Sequence, residues 1–281
     1  MLNVEHLKFR YAKASEPTLH DVTFSIDKGE VFGLLGPSGA GKSTTQRILM
    51  RQLRGYDGKV QMFGQNITDL DRTFYDRIGV SFELPALYQR LTARENLQLF
   101  SALYSGATMP VNECLALVDL EEDADKRVES FSKGMKMRLN LCRALLHDPE
   151  FLFLDEPTTG QDPARARITR DLILRLKAQG KTIFLTTHNM AEADEICDQV
   201  AFLHNGRIPL IGSPADLKHR FGKRTLEVTT ASAQPNQIYE FAMQDIGRNQ
   251  EFLELMHNDD ILSLHTKEAS LDDVFIKVVN Q

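Results

Sequence analysis

The run Gly36-Pro37-Ser38-Gly39-Ala40-Gly41-Lys42-Ser43-Thr44 has the residue types and spacing of a loop that holds phosphate. Its glycines let backbone N–H groups turn inward, Lys42 can neutralise β- and γ-phosphates, and the Ser43 hydroxyl suits Mg²⁺. A second segment, Phe151-Leu152-Phe153-Leu154-Asp155-Glu156, is an apolar run that delivers two carboxylates at its end. The carboxyl ends of strands in an open α/β sheet face the ligand, so Asp155 is expected in the Mg²⁺ shell. Glu156 is expected to orient and deprotonate an attacking water. Alone, the pair could be a solvated strand end; the glycine loop upstream supplies phosphates for it to act on. Together the segments predict a site for a nucleoside triphosphate.

Such a site needs strands and helices to aim it. Val31 to Leu35 reads as a short buried strand, and Ser43 to Leu53 as a helix free of Pro and Gly. Residues 1 to 35 alternate as strands around a polar turn at Ser15-Glu16-Pro17, and Lys59 to Phe63 is another strand between glycines. From Thr92 to Leu146 the pattern turns helical, beginning with the capping box Thr92-x-x-Glu95 and closing with a long stretch from Lys133. Phe151 to Leu154 and Thr182 to Thr186 read as buried parallel strands. Beyond Gly212 the texture changes. A strand is expected near Thr225 to Thr229, a helix near Asn236 to Gln244, and a closing helix with Ser270 as N-cap and Asp273 following. A tail of this size makes a marginal core by itself, so it is expected to pack on the main domain or on a second copy.

The 281 residues, 42% hydrophobic and 26% charged, have the composition of a soluble globular protein with room for a full core. A net charge of −6 gives no electrostatic support for coating nucleic acid, and no nucleic-acid partner is expected. The three cysteines Cys114, Cys142 and Cys197 form no C-x-x-C pair, which suits a reducing compartment and argues against a disulfide frame or zinc site. The start Met1-Leu2-Asn3-Val4-Glu5 carries no secretory signal, and nowhere do about 18 apolar residues run together. Any membrane role would leave the spanning to another chain.

The phosphate loop is followed in order by Phe131-Ser132-Lys133-Gly134-Met135, Leu154-Asp155-Glu156-Pro157, Gly160-Gln161-Asp162-Pro163 and Thr186-Thr187-His188. This succession resembles the ATP-binding subunit of an ABC transporter, over residues 1 to about 212. The ending Ser270-Leu271-Asp272-Asp273-Val274-Phe275 resembles the tail of bacterial multidrug and lipid exporter ATPases. The resemblance implies an α/β fold: a P-loop NTPase core with an N-terminal antiparallel β subdomain and a helical subdomain at about 84–148. A small α+β C-terminal extension would occupy 213–281. It implies an ATPase using ATP and Mg²⁺, working with a transmembrane permease and a second, similar cassette at the cytoplasmic face of the membrane. By the same resemblance Tyr11 stacks on adenine, unless it is a strand-end core tyrosine. Ser132 and Gly134 meet the γ-phosphate bound by the second subunit, Asp162 lies in the loop crossing the dimer interface, and His188 senses the γ-phosphate.

The sequence departs from the family's pattern at named positions. Lys133 and Met135 replace a glycine and a glutamine of the signature, Gln161 replaces a leucine, and Glu83 stands where a glutamine commonly contacts Mg²⁺ and water. A carboxylate at 83 can ligate Mg²⁺ yet sits poorly beside a γ-phosphate. These departures motivate an alternative, a soluble nucleotide-gated regulatory module with little hydrolysis, against which Glu156 and His188 count. A two-cassette ATPase would need a second phosphate loop, and a GTPase an Asn-Lys-x-Asp guanine reader; neither is in the sequence.

Overall fold

The computed structural model describes residues 1–221, 225–231, 237–267 and 269–279. The chain divides into two compact units, Met1–Ile211 and Gly212–Gln281.

In the first unit a six-stranded sheet runs in the order Arg207–Gly212, Gln199–His204, Val31–Leu35, Thr182–Thr187, Phe151–Asp155, Ile78–Ser81. All pairings among the last five strands are parallel. Val31–Leu35 and Thr182–Thr187 are buried at every position, as strands covered on both faces must be. Their side chains alternate between two cores. Phe32, Leu34, Phe151, Phe153 and Phe184 face an antiparallel sheet of Leu19–Ile26, Leu2–Phe9, Asp57–Met62 and Gln65–Asn66. Val31, Leu152, Leu154, Ile183 and Leu185 face the helical side with Leu97, Leu141 and Leu145. Phe24, Phe32 and Phe184 stack with centroids 5.1 to 6.2 Å apart, which joins the antiparallel sheet to the parallel one.

The helices Ala93–Ser101, Val111–Ala116 and Lys133–Leu145 build the region between the strand at 78–81 and that at 151–155. Thr92 starts the first of these with a complete capping box: its Oγ1 accepts from Glu95 N at 3.1 Å, and its own N–H donates to Glu95 Oε2 at 2.8 Å. The helix expected over Ser43 to Leu53 spans Lys42–Leu49, because Met50 caps it and Arg51 takes a left-handed φ of 62°.

In the second unit a three-stranded antiparallel sheet is ordered Gln237–Ala242, Thr225–Thr230, Ile261–Lys267. Val228 and Phe241 pack with Leu255 of the helix Gln250–Asn258. The helix expected near Asn236 to Gln244 is corrected: Gln237–Ala242 is a strand, and Asn236 lies outside the described residues. Pairing across Val228 and Tyr239, and across Leu226 and Phe241, outweighs the local helical spacing. The closing helix is Leu271–Val279, and Ser270 Oγ accepts from Asp273 N at 3.1 Å.

Candidate active site

Four neighbouring parallel strands end side by side, and the segment after each carries one part of the site. After Val31–Leu35 comes the glycine loop and its helix; after Phe151–Asp155, Glu156; after Thr182–Thr187, His188; after Ile78–Ser81, Glu83. The carboxyl edge of the sheet therefore assembles in space what is scattered along the chain. A cleft of about 470 Å³ is lined by Thr18, Ser38, Gly39, Gly41, Lys42, Ser43, Thr44, Glu83, Asp155, Glu156 and His188.

The loop needs its glycines. Gly36 has φ 155° and a Cβ there would lie 2.1 Å from Leu203 O; Gly41 has φ 112° and a Cβ would meet Leu19 Cδ2 at 2.7 Å. Lys42 Nζ donates to Gly36 O at 2.7 Å and to Pro37 O at 3.1 Å, so the loop's own carbonyls hold the ammonium at the cleft. Ala40 is buried, and its carbonyl accepts from Gly206 N at 3.1 Å, anchoring the loop's far side. Tyr11 OH is 3.2 Å from Thr44 Oγ1 and its ring meets Phe9 edge-on, which ties the first strand's end to the start of the loop helix.

Charge in the cleft is unbalanced toward the acids. Burial pushes the Asp155 carboxyl above its ordinary range, with Glu83 and Glu156 adding to the rise while the Thr186 hydroxyl and Lys42 oppose it. Burial lowers Lys42, against the pull of Glu156, Asp155 and Glu83. A divalent cation would relieve that excess of carboxylate, so the donor set of Ser43, Asp155 and Glu83 fits Mg²⁺. Among the described residues no group of three or more His, Cys, Asp or Glu is placed to hold a metal unaided. This suits an ion carried in largely by nucleotide phosphates.

Glu156 is buried and bonded at both oxygens. Its Oε1 accepts from His188 N at 3.1 Å and lies 2.8 Å from His188 Nδ1; its Oε2 accepts from Thr187 Oγ1 and Thr159 Oγ1, each at 3.2 Å. Its φ of 50° is a left-handed conformation uncommon outside glycine, of the kind that functional sites retain. Thr187 Oγ1 also lies 3.3 Å from Oε2 of Glu192, a carboxyl that burial raises. Glu192 was not legible as part of the site; the polar ending Thr186-Thr187 of a fully buried strand was the signal that something bonds there.

Ser132, Gly134 and Asp162 line no part of the cleft. Ser132 is exposed and caps the helix Lys133–Leu145, its Oγ accepting from Met135 N at 3.2 Å. Asp162 caps Pro163–Ala178 by accepting from Ala164 N and Arg165 N, both at 3.1 Å. The two caps are neighbours: the Gly134 position faces Gly160 O, and the Lys133 stem lies against Gly160. Gln161 Nε2 donates to Pro157 O at 2.9 Å and its Oε1 accepts from Thr169 Oγ1 at 3.0 Å, so this departure from the family pattern braces the loop on the helix behind it.

A phosphate loop between strand and helix, with an acid pair at the end of a parallel strand, defines a P-loop nucleoside triphosphatase. The comparisons with known proteins are more specific. Residues 19–159 match the family described as ABC transporter. The chain is 47% identical, over all of its length and 94% of the relative's, to a fluoroquinolones export ATP-binding protein of Mycobacterium tuberculosis. It is 34% identical, over 97% of its length and 85% of the relative's, to a linearmycin resistance ATP-binding protein of Bacillus subtilis. A solved ATP-binding cassette, dimeric in a post-hydrolysis state with ADP and Pi, superposes with a TM-score of 0.69 at 28% identity, covering 76% of this chain and 98% of that one. The chain belongs to the ABC transporter family and is an ATP-binding subunit with the cassette ATPase fold.

Proposed function

We propose that the chain powers a membrane exporter, pairing with a second cassette around ATP and parting from it after hydrolysis. The observation that carries this is the convergence of Lys42, Ser43, Asp155, Glu156 and His188 on one cleft, with Ser132 and Asp162 exposed elsewhere on the same unit. Such a division fits a site finished by a partner's signature end. Export is supported by the name of the Mycobacterium tuberculosis relative; among the described residues no helix is long and apolar enough to cross a membrane, so in this reading the spanning falls to another chain. The position is then peripheral, at the cytoplasmic face. The ATPase role belongs to residues 1–212, and 213–281 is an extension.

In this reading the glycine loop and Lys42 hold the phosphates, the ammonium exchanging the Gly36 and Pro37 carbonyls for phosphate oxygens. Ser43, Asp155 and Glu83 would hold Mg²⁺, which would supply positive charge against the phosphates. A water oxygen attacks the γ-phosphorus as the bridge to the β-phosphate breaks, and the water's proton passes to Glu156. Four groups crowd the two oxygens of Glu156: the His188 N–H, His188 Nδ1, and the Thr159 and Thr187 hydroxyls, the last also 3.3 Å from Glu192 Oε2. Exchanging one of these contacts opens an oxygen of Glu156 to the water's proton. His188, its side chain 65% exposed, is the one free to turn to the γ-phosphate, and that coupling would hold hydrolysis back until phosphate arrives.

Replacing Glu156 with Gln tests the assignment. Phosphate release should fall by roughly 10²- to 10⁴-fold while ATP still binds. Near-normal release would overturn it. The alternative, a regulatory module with little hydrolysis, requires the wild-type chain itself to release phosphate no faster than this variant.

A further inference from the structure

Gln46 is 1% exposed, and neither Nε2 nor Oε1 of its side-chain amide has a hydrogen-bond partner. Buried polar groups are nearly always bonded, and an orphaned amide costs stability that leucine or methionine at this place would not. The amide lies one helical turn beyond Ser43 on the same face of Lys42–Leu49. It lines a cavity of about 230 Å³ together with Ser43, Arg47, Glu83 and Asp155, three of which also line the phosphate cleft. Glu83, exposed, makes no hydrogen bond or ion pair among the described residues. A carboxylate accepts only, and Glu83 stands near the carboxylates of Asp155 and Glu156. The same cavity thus holds a buried amide with no partner and a carboxylate with no hydrogen bond, with the exposed Arg47 also on its lining.

We infer that Gln46 is a positioning residue: its amide N–H donates to the Glu83 carboxylate when Glu83 turns inward, and so fixes that carboxylate beside Ser43 and Asp155. The inference rests on the reading of Glu83 as an Mg²⁺ contact. It gives the buried amide an acceptor and gives the exposed acid of the site a neutral anchor from the helix Lys42–Leu49. A bond of this kind orients a metal-binding group from behind, and its loss should weaken the metal's hold more than the nucleotide's.

The test is ATP binding to the non-hydrolysing Glu156→Gln protein, titrated across Mg²⁺ concentration by calorimetry, with a thermal melt of each variant. Gln46→Leu should raise the half-saturating Mg²⁺ roughly 10-fold. It should leave binding in the absence of Mg²⁺ unchanged and should not lower the melting temperature. Gln46→Met, a second apolar replacement of similar length, should reproduce the shift if Leu disturbs the fold. In a Glu83→Ala background the same Gln46 change should add less than about twofold. No shift from Gln46→Leu, or an equal shift with and without Glu83, would overturn the positioning role. If Glu83→Ala alone leaves the Mg²⁺ curve unmoved, the reading of Glu83 itself fails and takes the inference with it. A shift from Glu83→Ala without one from Gln46→Leu removes only Gln46.

Discussion

At the scale of single residues the site is a set of groups held against their intrinsic preferences. Glu156 sits at a φ of 50°, Gln46 has an amide buried without a partner, and Glu192 is a carboxyl sunk 2% exposed beyond Thr187 from Glu156. Such features are tolerated where function needs them and cost stability. For Glu192 the cost has a sign in pH. Burial raises its folded pKa above the ordinary 4.5, with the Thr158 and Thr187 hydroxyls opposing, so the folded chain holds the proton more tightly than the unfolded one. Its stabilising contribution is complete below the ordinary value and is lost as pH climbs through the raised one. Glu192→Gln keeps the shape and an acceptor for Thr187 but has no charge to bury. Its melting temperature should match wild type near pH 4.5 and exceed it by roughly 2–5 °C at pH 8. A difference that does not change with pH would mean Glu192 carries no buried charge.

At the scale of elements, the legible parts were those whose local pattern agrees with their tertiary role. Val31–Leu35, Phe151–Asp155 and Thr182–Thr187 are apolar because both faces are covered, and Thr92-x-x-Glu95 forms the capping box its spelling suggests. Thr92→Ala should therefore cost about 1 kcal/mol in denaturant unfolding, with the helical region the first to open in hydrogen exchange. Gln237–Ala242 was misread because Ile238, Phe241 and Ala242 also fit helical spacing, and only the partner strand Thr225–Thr230 decides between the two. Nor could spacing reveal that Gln161 would span from Pro157 O to Thr169. Gln161→Leu removes both bonds and should lower stability by roughly 1–2 kcal/mol. It should also speed proteolysis in the 157–162 loop. An unchanged unfolding midpoint and cleavage rate would show that the loop is braced by something else.

At the scale of the whole molecule, the candidate site was legible as a list of motifs, and its division between two cassettes was legible only through the family resemblance. The sheet's carboxyl edge gathers Lys42, Ser43, Glu83, Asp155, Glu156 and His188 on one cleft, while Ser132, Gly134 and Asp162 cluster apart from it, at and beside two adjoining helix starts. A single copy thus carries the candidate nucleotide cleft and, elsewhere, an exposed hydroxyl at a helix N-terminus, a place suited to an anion. The shared-site account rests on that separation, and sedimentation velocity of the Glu156→Gln protein, with and without ATP and with and without Ser132→Arg, tests it most directly. The account predicts a monomer without ATP, a dimer with it, and a monomer that still binds ATP once Ser132→Arg is added. A dimer that forms equally well with arginine at 132, or one that needs no ATP, would contradict it.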